Sequence, residues 1–355
     1  MIEIDGARGE GGGQVLRTAL TLSCLTGAPI RVSRIRAGRN PPGLKAQHRT
    51  AIAAAARITN ARVQGDAVGS LTIEFEPGPV TPGRYRFEVG TAGAATLVLA
   101  TIVYPLAACE AESTVEIVGG THVPWSPAWP YLEHVWAWWY AQLGGAVALE
   151  LGRAGFFPKG GGQVHATIRP AGPSCIEGTL QRGRLEGIEV HSQATAGLAA
   201  HVLERQVRGA RQELSGRTRD FQGVSRTLEA ADAGTCVLAL ARCTHARLGC
   251  ADLGKIGKRA EDVGRHAARD LVRVLDEDVP FDDHMADQVL LPMALAKRPF
   301  DFAVGRVTGH LATNAAVIAS LLPGVEIAVR GSEGEPGAVA IRPTGANPAE
   351  SPPAV

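Results

Sequence analysis

The stretch IDGARGEGGGQVLRTALTL, residues 4–22, decides how the chain is to be read: a short apolar strand runs into a glycine loop that opens onto an amphipathic helix. The first-turn N–H groups of a helix lack intrahelical partners, the macrodipole adds partial positive charge there, and glycines let an anion approach the main chain. Gly11, Gly12 and Gly13 supply that approach. Gln14, Arg17 and Thr21 recur at helical spacing and predict a polar face with Arg17 over the loop, while Leu16, Ala19, Leu20 and Ser23 turn toward a core. Neither familiar phosphate loop is present, because no acid follows at the dinucleotide-binding distance and no Gly-Lys-Ser/Thr ends the run. Glu10, at the loop's edge, would repel a phosphate unless a divalent cation lay between them. It is therefore a candidate magnesium ligand, with a solvent-facing turn carboxylate as the competing reading.

Composition sets the class. With 355 residues and 45% hydrophobic content, one large domain or two ordinary ones can bury an ample core. The 43 glycines and 22 prolines fall at turns without a repeat period, which excludes collagen-like or low-complexity sequence. Cysteines at 24, 109, 175, 236, 243 and 250 form no Cys-x-x-Cys and have no histidine at zinc spacing, so reduced, mostly buried thiols are expected. The start MIEIDG is no signal peptide, and no apolar run approaches the ~20 residues of a membrane span. A cytoplasmic location and no membrane partner are expected.

The net charge of +1 hides an asymmetry. Between Gly11 and Gly65 there is no Asp or Glu, whereas Arg17, Arg31, Arg34, Arg36, Arg39, Lys45, Arg49, Arg57 and Arg62 gather beside the glycine loop. Such a block suits a localised phosphate-rich ligand or a nucleic-acid end, or else is a solvated basic face.

The strand, glycine turn and helix recur. After the first helix come a strand at 29–35, the loop RAGRNPPG, a helix with Leu44, Ala51, Ala55 and Ile58 on one face, and strands near 61–64 and 70–75. The pattern restarts with a strand at 84–89, the turn GTAG, an apolar helix to about Cys109, a strand at 113–118, a helix from about Ala128 and a strand at 146–151. It returns a third time with a helix from Asp283, a strand at 300–304, a helix beginning at His310, and strands at 325–329 and 338–341. The fold class read from this is α/β, with three repeated βα units forming a large domain over residues 1–182 and 278–343. Residues 183–277 break the rhythm and read as a smaller inserted α/β domain, with strands at 187–193 and 234–242, a long Arg-rich helix to about Leu214 and another over 259–275. The polar, proline-rich tail 344–355 is expected to be flexible.

All five tryptophans lie between 125 and 139. Trp136, Trp139, Tyr140 and Leu143 share a helical face suited to core packing or to a contact in a homodimer, and Trp125, before the helix, is the candidate base-stacking residue. Among the ten histidines, His48, His134, His165, His191, His201, His245 and His266 sit in ordinary patterns. His310 differs: it follows Gly309 at the start of HLATNAAVIASLL, with Thr313 and Asn314 one turn on. A helix N-terminus disfavours imidazolium, so a neutral ring could attack an electrophile held by the same N–H groups; a capping or packing histidine is the alternative.

The segments GEGGGQVLR (9–17), IRAGRNPPGL (35–44), GTAGAATLVLAT (90–101), GGTHVPWSP (119–127), GFFPKGGG (155–162), DHMADQVLLPMALA (283–296) and GHLATN (309–314) together resemble the RNA 3'-terminal phosphate cyclase family, in the same order from end to end. The resemblance implies ATP-dependent conversion of an RNA 3'-phosphate to a 2',3'-cyclic phosphate, with His310 as the nucleophile that takes AMP from ATP. It implies Glu10 as a contact to Mg2+ or Mn2+, Gln14 and Arg17 around AMP and phosphate, and Arg36 and Arg39 for the RNA terminus or pyrophosphate. It assigns His284, Met285, Ala286, Asp287 and Gln288 to the ATP-binding stretch, with Pro124 against the adenine. Two positions depart from the pattern: His284 replaces a frequent tyrosine, and Ala100 stands where relatives can carry a glutamine that contacts the nucleotide. A non-catalytic cyclase-like RNA-binding factor and an enolpyruvyl-transfer enzyme are the competing classes.

Overall fold

The glycine turn ends one strand and starts one helix, and this local event is repeated around the molecule. The computed structural model describes residues 1–172, 174–198 and 201–344. The tail expected to be flexible lies, from residue 345 on, outside the described residues. In the first unit β1 (Ile2–Asp5) leads through the loop to α1 (Gly13–Thr26), then β2 (Ile30–Ser33), α2 (Ala46–Thr59), β3 (Arg62–Gln64) and β4 (Ile73–Glu76). Helix α1 ends at Gly27, whose φ of 71° returns its N–H to the Ser23 carbonyl at 2.9 Å. Thr21, expected on the polar face, is instead buried, its hydroxyl donating to the Thr101 carbonyl at 2.8 Å.

The second unit holds β5 (Arg84–Glu88), α3 (Ala95–Ala107), β6 (Ser113–Gly119), α4 (Trp129–Tyr131), a π-helical turn at Leu132–Trp136, α5 (Ala137–Gln142), β7 (Ala146–Arg153) and β8 (Gly162–Arg169). Next come β9 (Gly178–Thr179), β10 (Leu185–Thr195), α6 (His201–Glu213), β11 (Phe221–Leu228), β12 (Thr235–Cys243), β13 (Arg247–Leu253) and α7 (Ala260–Asp276). The chain closes with α8 (Asp283–Gln288), α9 (Leu290–Leu295), β14 (Phe300–Val304), α10 (Gly309–Leu321), β15 (Val325–Arg330) and β16 (Gly337–Pro343).

Three sheets share one topology: β1-β2-β4-β3, β5-β6-β8-β7 and β9-β14-β16-β15. In each, the first two strands are parallel and the last two antiparallel to their neighbours. The third unit begins at the two-residue β9, and β10 to α7 enter its first crossover. Their sheet has a different order, β11-β10-β12-β13, with only β10 and β11 parallel. The sequence pattern missed β8, β9, β11 and β13, and it ran α8 and α9 together, which the structure separates at Val289.

Alternation places the core. Ile30 and Val32 are fully buried while Arg31 between them pairs with Glu74. Trp136, Trp139, Tyr140 and Leu143 are all buried within this chain, Trp136 stacking on Tyr140 and Trp139 Nε1 donating to the Arg247 carbonyl at 2.9 Å, so core packing accounts for that face. Among the described residues no helix is long and apolar enough to cross a membrane.

Candidate active site

The glycine loop lies flat on α10. Gly9 and Gly11 adopt φ of 59° and 58°, and a methyl at Gly9 would sit 2.0 Å from Thr313 Oγ1, so only glycine fits there. Glu10 N–H donates to that hydroxyl at 3.3 Å. At the start of α10 the Thr308 hydroxyl accepts from Leu311 N–H at 3.0 Å, which sets His310 in the first turn, facing the loop.

His310 is held at both ring nitrogens. Nδ1 lies 2.6 Å from Gln14 Oε1 and Nε2 lies 2.7 Å from Glu10 Oε2. The Gln14 amide then donates to Asp287 Oδ2 at 3.2 Å. Asn314 ties α10 to both partners, donating to the Asp287 carbonyl and accepting from the Thr18 hydroxyl, each at 2.7 Å. Four of the expected residues, at 10, 14, 287 and 310, thus meet in one polar chain spanning α1, α8 and α10.

Burial lowers the His310 pKa against the pull of Glu10, and Arg17, His284 and Arg39 lower it further. Both causes of the lowering favour the neutral ring. A neutral ring that donates Nδ1–H to Gln14 carries its lone pair on Nε2, toward Glu10. A carboxylate oxygen 2.7 Å from a ring nitrogen is at hydrogen-bond distance, so a proton lies between them in this arrangement, while the carboxylate itself, at the loop's edge, is the kind of oxygen donor a divalent ion takes. Among the described residues no group of three or more His, Cys, Asp or Glu is placed to hold a metal. A cation at Glu10 would thus draw most of its ligands from water and phosphate oxygens, the habit of Mg2+.

Charge around the loop favours an anion. Arg17 is partly buried, and desolvation lowers its pKa to about 10 against the opposing charge of Asp287, which leaves it cationic at neutral pH. Burial raises Asp287 to about 7, opposed by His284, Gln14 and Arg17. Arg39 reaches the loop, its Nη2 lying 3.2 Å from the Glu10 carbonyl and 3.5 Å from Oε1. Arg36 is placed differently: 6% exposed, it donates to the Gly43 and Pro41 carbonyls at 2.7 and 3.1 Å and holds its own loop together.

The segment 284–288 divides by face. His284 is exposed, its ring edge-on to Tyr131, and Gln288 Nε2 donates to the His284 carbonyl at 2.9 Å. Met285 and Ala286 are buried in the main hydrophobic cluster, so their side chains are core. Ala100 is half-buried in α3, and Pro124 is exposed in the loop before α4. Trp125, beside Pro124, is 98% exposed.

Two residues escaped the sequence reading. Asp282 is buried and caps α8, accepting from His284 N–H, Met285 N–H, Gly249 N–H and the Tyr131 hydroxyl. An aspartate just before a helix was the available signal. The other is His48, which lies against Gly13.

A histidine at a helix N-terminus, a carboxylate within reach of its nitrogen and a glycine loop that opens a helix are chemistry suited to phosphate, set on an α/β scaffold. The sequence model described as RNA 3'-terminal phosphate cyclase matches residues 8–329. Proteins of that name from Trichormus variabilis and Caldivirga maquilingensis are 41% and 42% identical over 327 and 328 residues, covering 90% of this chain and 93% and 92% of theirs. One from Methanopyrus kandleri is 40% identical over 352 residues, 97% of this chain and 99% of its own. The chain belongs to the RNA 3'-terminal phosphate cyclase family, a family of enzymes.

Proposed function

We propose that the protein uses ATP to convert an RNA 3'-phosphate into a 2',3'-cyclic phosphate through an AMP carried on His310. The observation that supports this most is the polar chain Glu10, His310, Gln14, Asp287, which holds an imidazole beside an anion-ready loop. Gln14 keeps the proton on Nδ1 and leaves Nε2 as the attacking nitrogen. In the first step the Nε2–phosphorus bond forms at the α-phosphorus of ATP as the bond to pyrophosphate breaks. An oxygen of the RNA 3'-phosphate then takes AMP from His310, and the neighbouring 2'-OH displaces AMP to close the ring, an intramolecular attack favoured by proximity. Glu10 would hold Mg2+ or Mn2+, whose charge offsets that of the phosphates. Arg17 and Arg39 supply fixed positive charge, and Asp287 orients Gln14.

The test is the fate of the RNA end. Incubated with ATP and magnesium, RNA bearing a 3'-phosphate should become resistant to phosphatase as the cyclic ester. The same oligonucleotide with a 2'-deoxy terminus should stop at the adenylylated end, since it lacks the closing hydroxyl. A phosphatase-sensitive RNA end after prolonged incubation would favour a non-catalytic RNA-binding role.

A further inference from the structure

Strand β13 is the outer strand of the insert's sheet and pairs only with β12, so its outward N–H groups need acceptors from elsewhere. At Gly249 that acceptor is Asp282 Oδ2, 3.1 Å away, from the residue that opens α8. The strand is pressed against the second unit at this point: a methyl on Gly249 would lie 2.5 Å from Val135 Cγ2 and 3.3 Å from Tyr131 Cδ2.

The two oxygens of Asp282 divide their partners. Oδ1 accepts from His284 N–H at 3.1 Å, from Met285 N–H at 3.0 Å and from the Tyr131 hydroxyl at 2.7 Å, which fixes the first turn of α8. Tyr131, held in this way, sets its ring edge-on to His284, 6.4 Å between centroids. Among the described residues Oδ2 takes its hydrogen bond from the insert. A cap that only stabilised α8 would need Oδ1; the second oxygen makes the position of the helix depend on β13. The residue is 1% exposed, so water cannot readily replace a lost partner. A second tie runs alongside, where Arg273 Nη2 of α7 donates to Asp283 Oδ2 at 2.8 Å.

What α8 carries gives this seam its consequence. Asp287 accepts from Gln14, and Gln14 holds His310, while His284 stands exposed on the same short helix. A helix of six residues moves as one piece, so a shift at its cap displaces His284 and Asp287 together.

Resting on the function proposed above, we infer that Asp282 is a positioning residue for AMP transfer: through its two oxygens the insert sets where α8 presents His284 to the nucleotide and Asp287 to the Gln14–His310 pair. The insert thereby serves the reaction without touching the reacting groups.

The experiment compares full-length wild type with Asp282→Asn. Asparagine keeps one carbonyl oxygen for the three cap donors and sets an amide NH2 against the Gly249 N–H, so the tie to the insert is the bond it loses. AMP charging is followed by intact mass over a range of ATP concentrations, at a temperature where circular dichroism shows both proteins folded. The variant should need about tenfold more ATP for half-maximal charging, and its maximal charging rate should fall, as expected when a hydrogen bond to a charged group is lost. A purely structural role would lower the denaturation midpoint and leave both quantities unchanged. Hydrogen exchange of the wild type reads the same coupling without a variant. By reciprocity, the Gly249 and Met285 amides should exchange several-fold more slowly once His310 carries AMP. Equal charging at every ATP concentration in the folded variant, or unchanged Gly249 exchange on charging, would overturn the assignment. A wild type that takes no AMP would remove the function reading itself and the positioning role with it, so the two failures are told apart.

Discussion

At the scale of single residues, the site depends on groups whose cost is met by neighbours. Asp282 is fully enclosed, and burial pushes its carboxyl pKa up, yet four donors converge on it from α8, Tyr131 and the strand at Gly249. Replacing it with alanine leaves those donors unmatched. Asp282→Ala should lower stability by about 2–4 kcal/mol, read as a fall in denaturation midpoint. Asp287 is different, because among the described residues Gln14 alone donates a hydrogen bond to its side chain, and burial raises its pKa to about 7. A raised folded-state pKa gives stability that is complete below the unfolded value and lost as pH rises through about 7. Asp287→Asn cannot ionise, so its stability relative to wild type should rise by about 1–3 kcal/mol between pH 5 and pH 8. Its AMP charging should fall, since Gln14 loses the carboxylate that orients it. A chemical-denaturation series across pH checks the first outcome, and the adduct yield checks the second.

At the scale of elements, backbone proximity outranks helix propensity. Helices α6 and α7 cross through two glycines: a methyl at Gly209 would lie 2.2 Å from the Glu261 carbonyl oxygen, and one at Gly264 would lie 1.9 Å from that of Gln206. Alanine at 264 would gain roughly 1 kcal/mol of helix propensity but force the two helices apart. Gly264→Ala is expected to be net destabilising by about 1–3 kcal/mol, measured by urea unfolding; a stabilised variant would refute the tight crossing. The same contacts explain the Arg-rich face of α6, where Arg205 forms a double hydrogen bond with Glu261 at 2.7 Å and Arg211 lies 4.4 Å over the Phe221 ring. These two arginines serve the insert's own packing.

Element type was legible wherever a period was strong, as in α1, α10 and the strand at Phe300–Val304. β8 alternates as cleanly as any strand, with Gly162, Val164, Ala166 and Ile168 buried, and its signal was present but unread. β11 had almost none, because an edge strand exposed over most of its length carries little burial pattern. The site followed the same logic. Sequence neighbours such as Glu10 and Gln14 could be grouped by spacing, whereas Asp282 and His48 act through contacts with distant segments that no local period encodes. Arg36 shows the converse, a basic residue in a basic block that its own loop encloses.

At the scale of the whole molecule, two of the three sheets of one topology, the first and the third, bring different helix starts to one place. Gln14 comes from the first unit, and Asp287 and His310 come from the third, after the insert has been accommodated in a crossover. Separate buried histidines brace this assembly. His48 and His122 have pKa values pushed down by burial to about 3 and about 4, and His122 bridges Thr121 and Gln193 of the insert's central strand. A lowered folded-state pKa gives stability present above the unfolded value and lost as pH falls toward the folded one. Each histidine should therefore cost about 2 kcal/mol of stability at pH 5. Histidine NMR should show both rings still neutral at pH 5 in the folded protein; a titration midpoint near 6.5 would remove the effect.

The most direct measurement is the intact mass of the protein after incubation with ATP and magnesium, without RNA, for wild type and His310→Ala. One added AMP on the wild type alone, stable to base and lost in mild acid as a phosphoramidate is, is the predicted result. An unmodified wild type, or an adduct that persists in His310→Ala, would contradict the assignment of His310 as the nucleophile.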